Sequence, residues 1–160
     1  MGTVLSTIGL DPHKSEELAE KLNILLANYQ IFYINVRGFH WNIKGDNFFE
    51  LHEQFEQLYT DLQLKIDEIA ERIVTLGHVP DHSFGDYLEK ASVTPRKDVS
   101  NGKESVRGVL NAMREILILQ REILDISDET KDEGTNAQMS GYIQEQEKLA
   151  WMYSSFLGDE

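Results

Sequence analysis

Apolar residues along most of the chain recur at steps of three and four, the spacing that lines one face of an α-helix. The cleanest run is Phe48, Leu51, Phe55, Leu58, Leu62, Ile66, Ile69, Ile73 and Leu76, closed by Gly77. An earlier stripe through Leu18, Leu22, Leu25, Leu26, Tyr29, Phe32, Tyr33 and Val36 predicts a first helix over about residues 12–41. Asp11 is its expected N-cap and Pro12 its first helical position. The polar stretch "NIKGDN" separates the two helices, and Asn47 with Glu50 three residues on predicts a capping box for the second. A third helix is expected over 103–127 through Val106, Val109, Leu110, Met113, Ile116, Leu117, Ile123 and Leu124. A fourth is expected over 137–156 through Met139, Tyr142, Ile143, Leu149, Met152, Tyr153 and Phe156.

Between the second and third helices lie about 25 residues, and a structureless loop of that size is unusual inside a compact domain. "SFGDYLEKA" therefore predicts a short helix within this connection. Four long helices with one long crossover describe an all-α four-helix bundle of the ferritin-like arrangement. A length of 160 residues suits one domain, 1–160, with a sizeable core. The sequence shows no internal repeat and no low-complexity tract.

Charge narrows the partners. A formal charge of −13, from 28 acidic and 15 basic residues, opposes direct binding to nucleic acid, whose affinity comes from cations neutralising phosphates. Metal cations are the better-matched guests. The absence of cysteine excludes disulfides and thiolate zinc sites and is compatible with a reducing cytosol. "MGTVLSTIGLDPHK" has no basic region ahead of its short apolar run and does not read as a signal peptide. No apolar span reaches transmembrane length, so no membrane association and a cytoplasmic location are expected.

The candidate chemistry begins with His40 and His52, two of only five histidines, one on each side of the "NIKGDN" reversal. On the second helix, Asp67 and Glu71 are four residues apart and project from one face, the flank that also carries His52. Taken alone, such an acidic pair is most often a solvated face. His52 and Asp67 are 15 residues apart in sequence, so ~22 Å apart on one straight helix. One chain cannot bring both to one metal ion. Two antiparallel copies of this helix, crossing on a two-fold axis near residues 59–63, would bring His40 and His52 of one chain to Asp67 and Glu71 of the other, and would make two equivalent sites. A di-iron centre inside a single bundle uses Glu-x-x-His pairs. None occurs: no histidine here has glutamate three positions before it.

The segments "FHWNIKG", "FFELHEQFEQLY", "KIDEIAERI" and "GYIQEQEKLAWM" closely resemble the Dps family, the mini-ferritins of the ferritin-like class, and the likeness extends over essentially the whole chain. The resemblance implies that His40 and His52 are iron ligands from one subunit, that Asp67 and Glu71 come from its partner, and that Trp41 is the tryptophan beside the centre. It also implies a shell of twelve identical subunits acting as a ferroxidase, which oxidises Fe(II) with hydrogen peroxide, and with oxygen more slowly, and stores the ferric product as a mineral. Two imidazoles and two carboxylates form a fairly hard mixed set that suits iron, and zinc is a plausible substitute.

In the acidic turn "SDETKDEGTN", Asp128, Asp132 and Glu133 are the candidate pore lining, weighed against an ordinary solvated loop. Ala137 and Gly141 stand where the family commonly has aspartates. Many Dps proteins bind DNA through a lysine-rich tail, whereas Lys14 is the only lysine or arginine among the first twenty residues here. Direct DNA binding is therefore not expected, and a nucleoid protein with an incidental metal site stands as the alternative. A purely structural shell is the third reading. His78 and His82 around Asp81, and His13, are weaker metal candidates.

Overall fold

The computed structural model describes residues 4–158, and all regular structure among them is helical. The elements are α1 (Glu16–Asn42), α2 (Phe48–Thr75), α3 (Phe84–Lys90), α4 (Gly102–Glu129) and α5 (Glu133–Leu157). The four long helices form the expected bundle. α3 is the short helix of the crossover and lies against α1.

The helix starts differ from the sequence expectation in physically informative ways. Asp11 does not cap α1. Its carboxylate accepts from the His13 amide (2.9 Å) and its carbonyl from the Ser15 amide (3.2 Å), closing a separate turn ahead of Glu16. Asn47 forms no capping box either: it sits in the left-handed region at φ 65°, and its side chain makes no cap hydrogen bond. Asparagine tolerates that region, and here it helps to reverse the chain. α5 begins at Glu133, four residues earlier than expected, because Asp132 accepts from the Thr135 amide at 3.0 Å and caps the helix.

α1 is the central helix, packed against α2, α3 and α4. Its surroundings are apolar on most sides, with Leu18, Leu22, Leu25, Leu26, Phe32 and Val36 fully enclosed in the core. Polar groups on such a helix need partners, since an unsatisfied buried group costs about 1–3 kcal/mol. Three asparagines find theirs in the crossover. Asn23 pairs with the backbone of Val79 and Asp81, Asn28 accepts from the amides of Ser92 and Val93, and Asn35 pairs with Thr94 and Arg96. A long connection is thereby fastened along one helix.

Two further polar clusters join the bundle. Tyr29, Gln120 and Gln146 close a buried ring: the tyrosine hydroxyl donates to Gln120 (2.6 Å), the Gln120 amide to Gln146 (2.7 Å), and the Gln146 amide to the hydroxyl (2.7 Å). Each of the three satisfies the next, across α1, α4 and α5. The Lys65 ammonium is buried between Asp61 (2.6 Å) and Glu145 (2.9 Å), tying α2 to α5. Burial works against its charge, but the two carboxylates prevail and hold its pKa above the ordinary lysine value.

Candidate metal centre

The last turn of α1 and the first turns of α2 are brought side by side by the reversal at residues 43–47. The Ile43 amide closes α1 on the Phe39 carbonyl, and Lys44 donates to Ser100 in the crossover. Gly45 at φ 92° and Asn47 at φ 65° then turn the chain back. Phe39 anchors the corner beneath α4 at Gly108, where an added Cβ would stand 2.8 Å from the phenyl ring.

This geometry stacks His40 on His52, with ring centroids 3.8 Å apart and planes 13° from parallel. The Nδ1 of His40 lies 2.7 Å from the His52 carbonyl, and the Nδ1 of His52 lies 2.8 Å from the His40 carbonyl. A carbonyl only accepts, so Nδ1 carries a proton in both rings, and the neutral form of each ring leaves the lone pair on Nε2. A metal-binding histidine is commonly oriented in this way, with one nitrogen donating to a fixed acceptor and the other left to the ion.

Aromatic rings complete the stack. Phe48 lies nearly parallel to His52 at 5.0 Å, and Tyr59 meets His40 edge-on at 5.3 Å. Beyond Tyr59, the Arg37 guanidinium lies 4.3 Å from the Tyr59 ring centre and 5.0 Å from that of Trp41. Arg37 also donates to the Tyr33 hydroxyl at 2.8 Å. Sequence reasoning singled out Trp41 but passed over Phe48, Arg37 and Tyr59. The signal was present, since Arg37 precedes Trp41 by four residues and Tyr59 follows His52 by seven, both same-face helical spacings.

The structure does not bring Asp67 and Glu71 to the histidines. Both carboxylates are exposed on α2, and Asp67 borders an open groove of about 550 Å³ with Gln30, Gln63 and Tyr87. Among the described residues, no three histidine, aspartate or glutamate side chains of one chain converge to hold a metal ion.

The acidic turn is also less uniform than its sequence. Asp128 and Glu133 are exposed, but Asp132 is only 2% exposed and is committed to Arg72 at 2.6 Å, which removes it from a solvent-facing lining. His78 and His82 do not converge on a common ion. The first approaches the Pro12 carbonyl through Nε2 (3.2 Å) and the second the Pro80 carbonyl through Nδ1 (3.1 Å). His13 lies 3.5 Å from Glu16 on the exposed entry to α1. No helix among the described residues is long and apolar enough to cross a membrane.

A helical bundle with this crossover defines the ferritin-like class, and the family description "Ferritin-like domain" matches residues 19–160. The DNA protection during starvation protein of Porphyromonas gingivalis is 40% identical over 156 residues, which span 98% of each chain. The crystal structure of a Dps protein from Vibrio cholerae O1, described there as a member of a broad superfamily of ferritin-like diiron-carboxylate proteins, is 53% identical. It superimposes with a TM-score of 0.95, covering 98% of this chain and 99% of that one. A Dps protein from Bacillus brevis is 34% identical, with a TM-score of 0.87 over 91% of this chain and 97% of its own. Within the ferritin-like class, the chain belongs to the Dps family.

Proposed function

We propose that the protein is a ferroxidase and iron store: a cytoplasmic shell, a dodecamer, that oxidises Fe(II) with hydrogen peroxide at sites shared between two-fold-related subunits. His40 and His52 of one subunit and Asp67 and Glu71 of its mate are the ligands. Membership of a family whose Vibrio cholerae relative is described as a diiron-carboxylate protein supports iron chemistry. The observation that carries the reading is the reciprocal histidine pair, because both imidazoles are fixed with Nε2 left as a donor to metal.

The chemistry follows from the donor set. Two Fe(II) ions supply the two electrons that, with two protons, reduce one hydrogen peroxide to two waters, so no hydroxyl radical is released. The carboxylates match the added charge of Fe(III) better than neutral imidazoles alone. Trp41, linked to the histidine stack through Arg37 and Tyr59, takes up stray oxidising equivalents. The excess of acidic residues attracts Fe(II) towards the shell, with the exposed Asp128 and Glu133 as its entrance groups. Zinc competes for the same ligands. Protection of DNA arises from removing iron and peroxide.

The test adds Fe(II) anaerobically to the metal-free protein, then hydrogen peroxide, and follows ferric absorbance beside Asp67→Ala/Glu71→Ala. Fast oxidation by the wild type, lost in the double variant, is expected. Equal slow oxidation in both returns the protein to the binding or structural classes. Retention of duplex DNA at low salt that disappears with added salt would favour the nucleoid alternative.

A further inference from the structure

Arg72 directly follows Glu71, yet its side chain leaves the exposed acidic face and enters the end of the bundle. Its Nε donates to the Thr135 hydroxyl at 2.9 Å and its Nη2 to Asp132 at 2.6 Å. Asp132 is 2% exposed and Thr135 is fully enclosed. The same aspartate caps α5, accepting from the Thr135 amide at 3.0 Å and from its hydroxyl at 2.6 Å. Four hydrogen bonds among three side chains and one amide thus lock the C-terminal part of α2 onto the first turn of α5.

Gly134 makes the contact possible. A Cβ at that position would stand 2.6 Å from Nη2, 2.8 Å from Nη1 and 2.9 Å from Cζ of Arg72. The guanidinium therefore occupies the space that any other residue at position 134 would claim. Its planar fork also spans two acceptors from one rigid group, which a lysine ammonium on a flexible stem does not reproduce.

Neighbouring helix positions differ in bearing by about 100°, so the backbone that Arg72 holds is the backbone that aims Glu71, and Asp67 one turn earlier. We propose that Arg72 is a positioning residue for the iron site. Through Asp132 and Thr135 it sets the rotation of the last turns of α2, and with it the direction of Glu71 and Asp67, and it couples that direction to the acidic α4–α5 turn. The proposal rests on Asp67 and Glu71 being ligands. Its action is geometric rather than electrostatic, because the Arg72 charge is already matched by buried Asp132.

The experiment titrates the assembled full-length protein with Co(II), reads its visible ligand-field bands, and separately measures KM and kcat for Fe(II) oxidation. Wild type is compared with Arg72→Lys, Gly134→Ala and Asp67→Ala/Glu71→Ala. Gly134→Ala displaces the guanidinium while retaining every charge, and it alone decides if Arg72→Lys fails to assemble. Both clamp variants are expected to weaken Co(II) and raise KM for Fe(II) by about tenfold or more, with helical content and assembled size kept. Clamp variants that melt earlier but bind Co(II) and Fe(II) as the wild type does would overturn the proposal and leave Arg72 a structural residue. If the wild type and Asp67→Ala/Glu71→Ala titrate alike, the ligand assignment itself fails, and that outcome is visible before any clamp variant is compared.

Discussion

His40 and His52 each hold the other's ring: every Nδ1 is bonded to the opposite residue's carbonyl, and the rings stack at 3.8 Å. Neither imidazole is placed independently, because removing one takes away the survivor's stacking partner and the Nδ1 bond that ties down the survivor's backbone, while the survivor keeps its own main-chain acceptor. His40 is 8% exposed, so its ring has little freedom to find another arrangement.

That dependence predicts non-additive losses. His40→Ala and His52→Ala are each expected to weaken Co(II) binding by about 10–100-fold. The double variant should lose less than the sum of the two, with a coupling energy of about 0.5–3 kcal/mol. Four titrations complete the cycle. Strict additivity would mean that each histidine acts alone.

The asparagines of α1 predict where the crossover comes loose. Asn28→Ala removes the acceptor of the Ser92 and Val93 amides, and Asn35→Ala that of the Arg96 amide. Each is expected to cost about 1–3 kcal/mol, Asn28→Ala by leaving the buried Val93 amide and Asn35→Ala by leaving the part-buried Arg96 amide without a partner. Hydrogen exchange provides the local readout: the amides of residues 92, 93 and 96 should lose protection before those of the bundle core. Uniform loss across the chain would show that the crossover opens only when the whole bundle unfolds.

These asparagines also show where the sequence was silent. The stripe of α2 was legible because one face is apolar and the other polar, and its observed bounds follow that stripe. α1 is enclosed on most sides, so its polar residues carry a meaning that periodicity alone does not disclose. Asn28 and Asn35 resemble ordinary helix interruptions until residues 92–96 arrive beside them. Asp132 was misplaced for a related reason. Within a run of acidic residues it looks solvent-facing, and only the three-dimensional approach of Arg72, 60 positions earlier, turns it inward. The histidine pair was legible because the "NIKGDN" reversal makes its two halves local, whereas nothing among the described residues of one chain brings Asp67 and Glu71 to it.

Alkaline pH is expected to destabilise the fold. Burial raises the pKa of Tyr29, Tyr142 and Tyr153, which stay neutral in the folded chain. Their unfolded counterparts ionise near pH 10. Lys65, held above its ordinary value, keeps its proton longer when folded. In each case the native state binds more protons, so the contribution is complete below the unfolded pKa and is lost as pH rises through the folded one. Melting temperatures followed from about pH 9 to 11, spanning the unfolded tyrosine and lysine values, should therefore fall.

One tyrosine lets that limb be dissected. The Tyr153 hydroxyl is buried with no hydrogen-bond partner among the described residues, while its ring stacks parallel to Phe55. Tyr153→Phe keeps the ring and deletes the orphaned group, so it should stabilise the protein by about 1 kcal/mol and make the alkaline limb shallower. Urea unfolding at neutral and alkaline pH measures both effects. A loss of stability at neutral pH would mean that the hydroxyl has a hydrogen-bond partner in solution.

Trp41 supplies the last prediction, because its surroundings combine contact with the site and access to solvent. It is 60% exposed, and the Arg37 guanidinium joins its ring to that of Tyr59, which lies against His40. On the proposed function, a strongly oxidising species formed beside the histidines would have Tyr59 as a neighbouring oxidisable ring, and Trp41 is the exposed end of the same cluster. After repeated additions of Fe(II) and excess hydrogen peroxide, peptide mass spectrometry should find oxygen adducts concentrated on Trp41. In Trp41→Phe they should move to Tyr59 and Tyr33, and activity should decay faster with successive additions. The same adduct distribution and lifetime in both proteins would show that Trp41 packs against Arg37 and takes no part in disposing of oxidising equivalents.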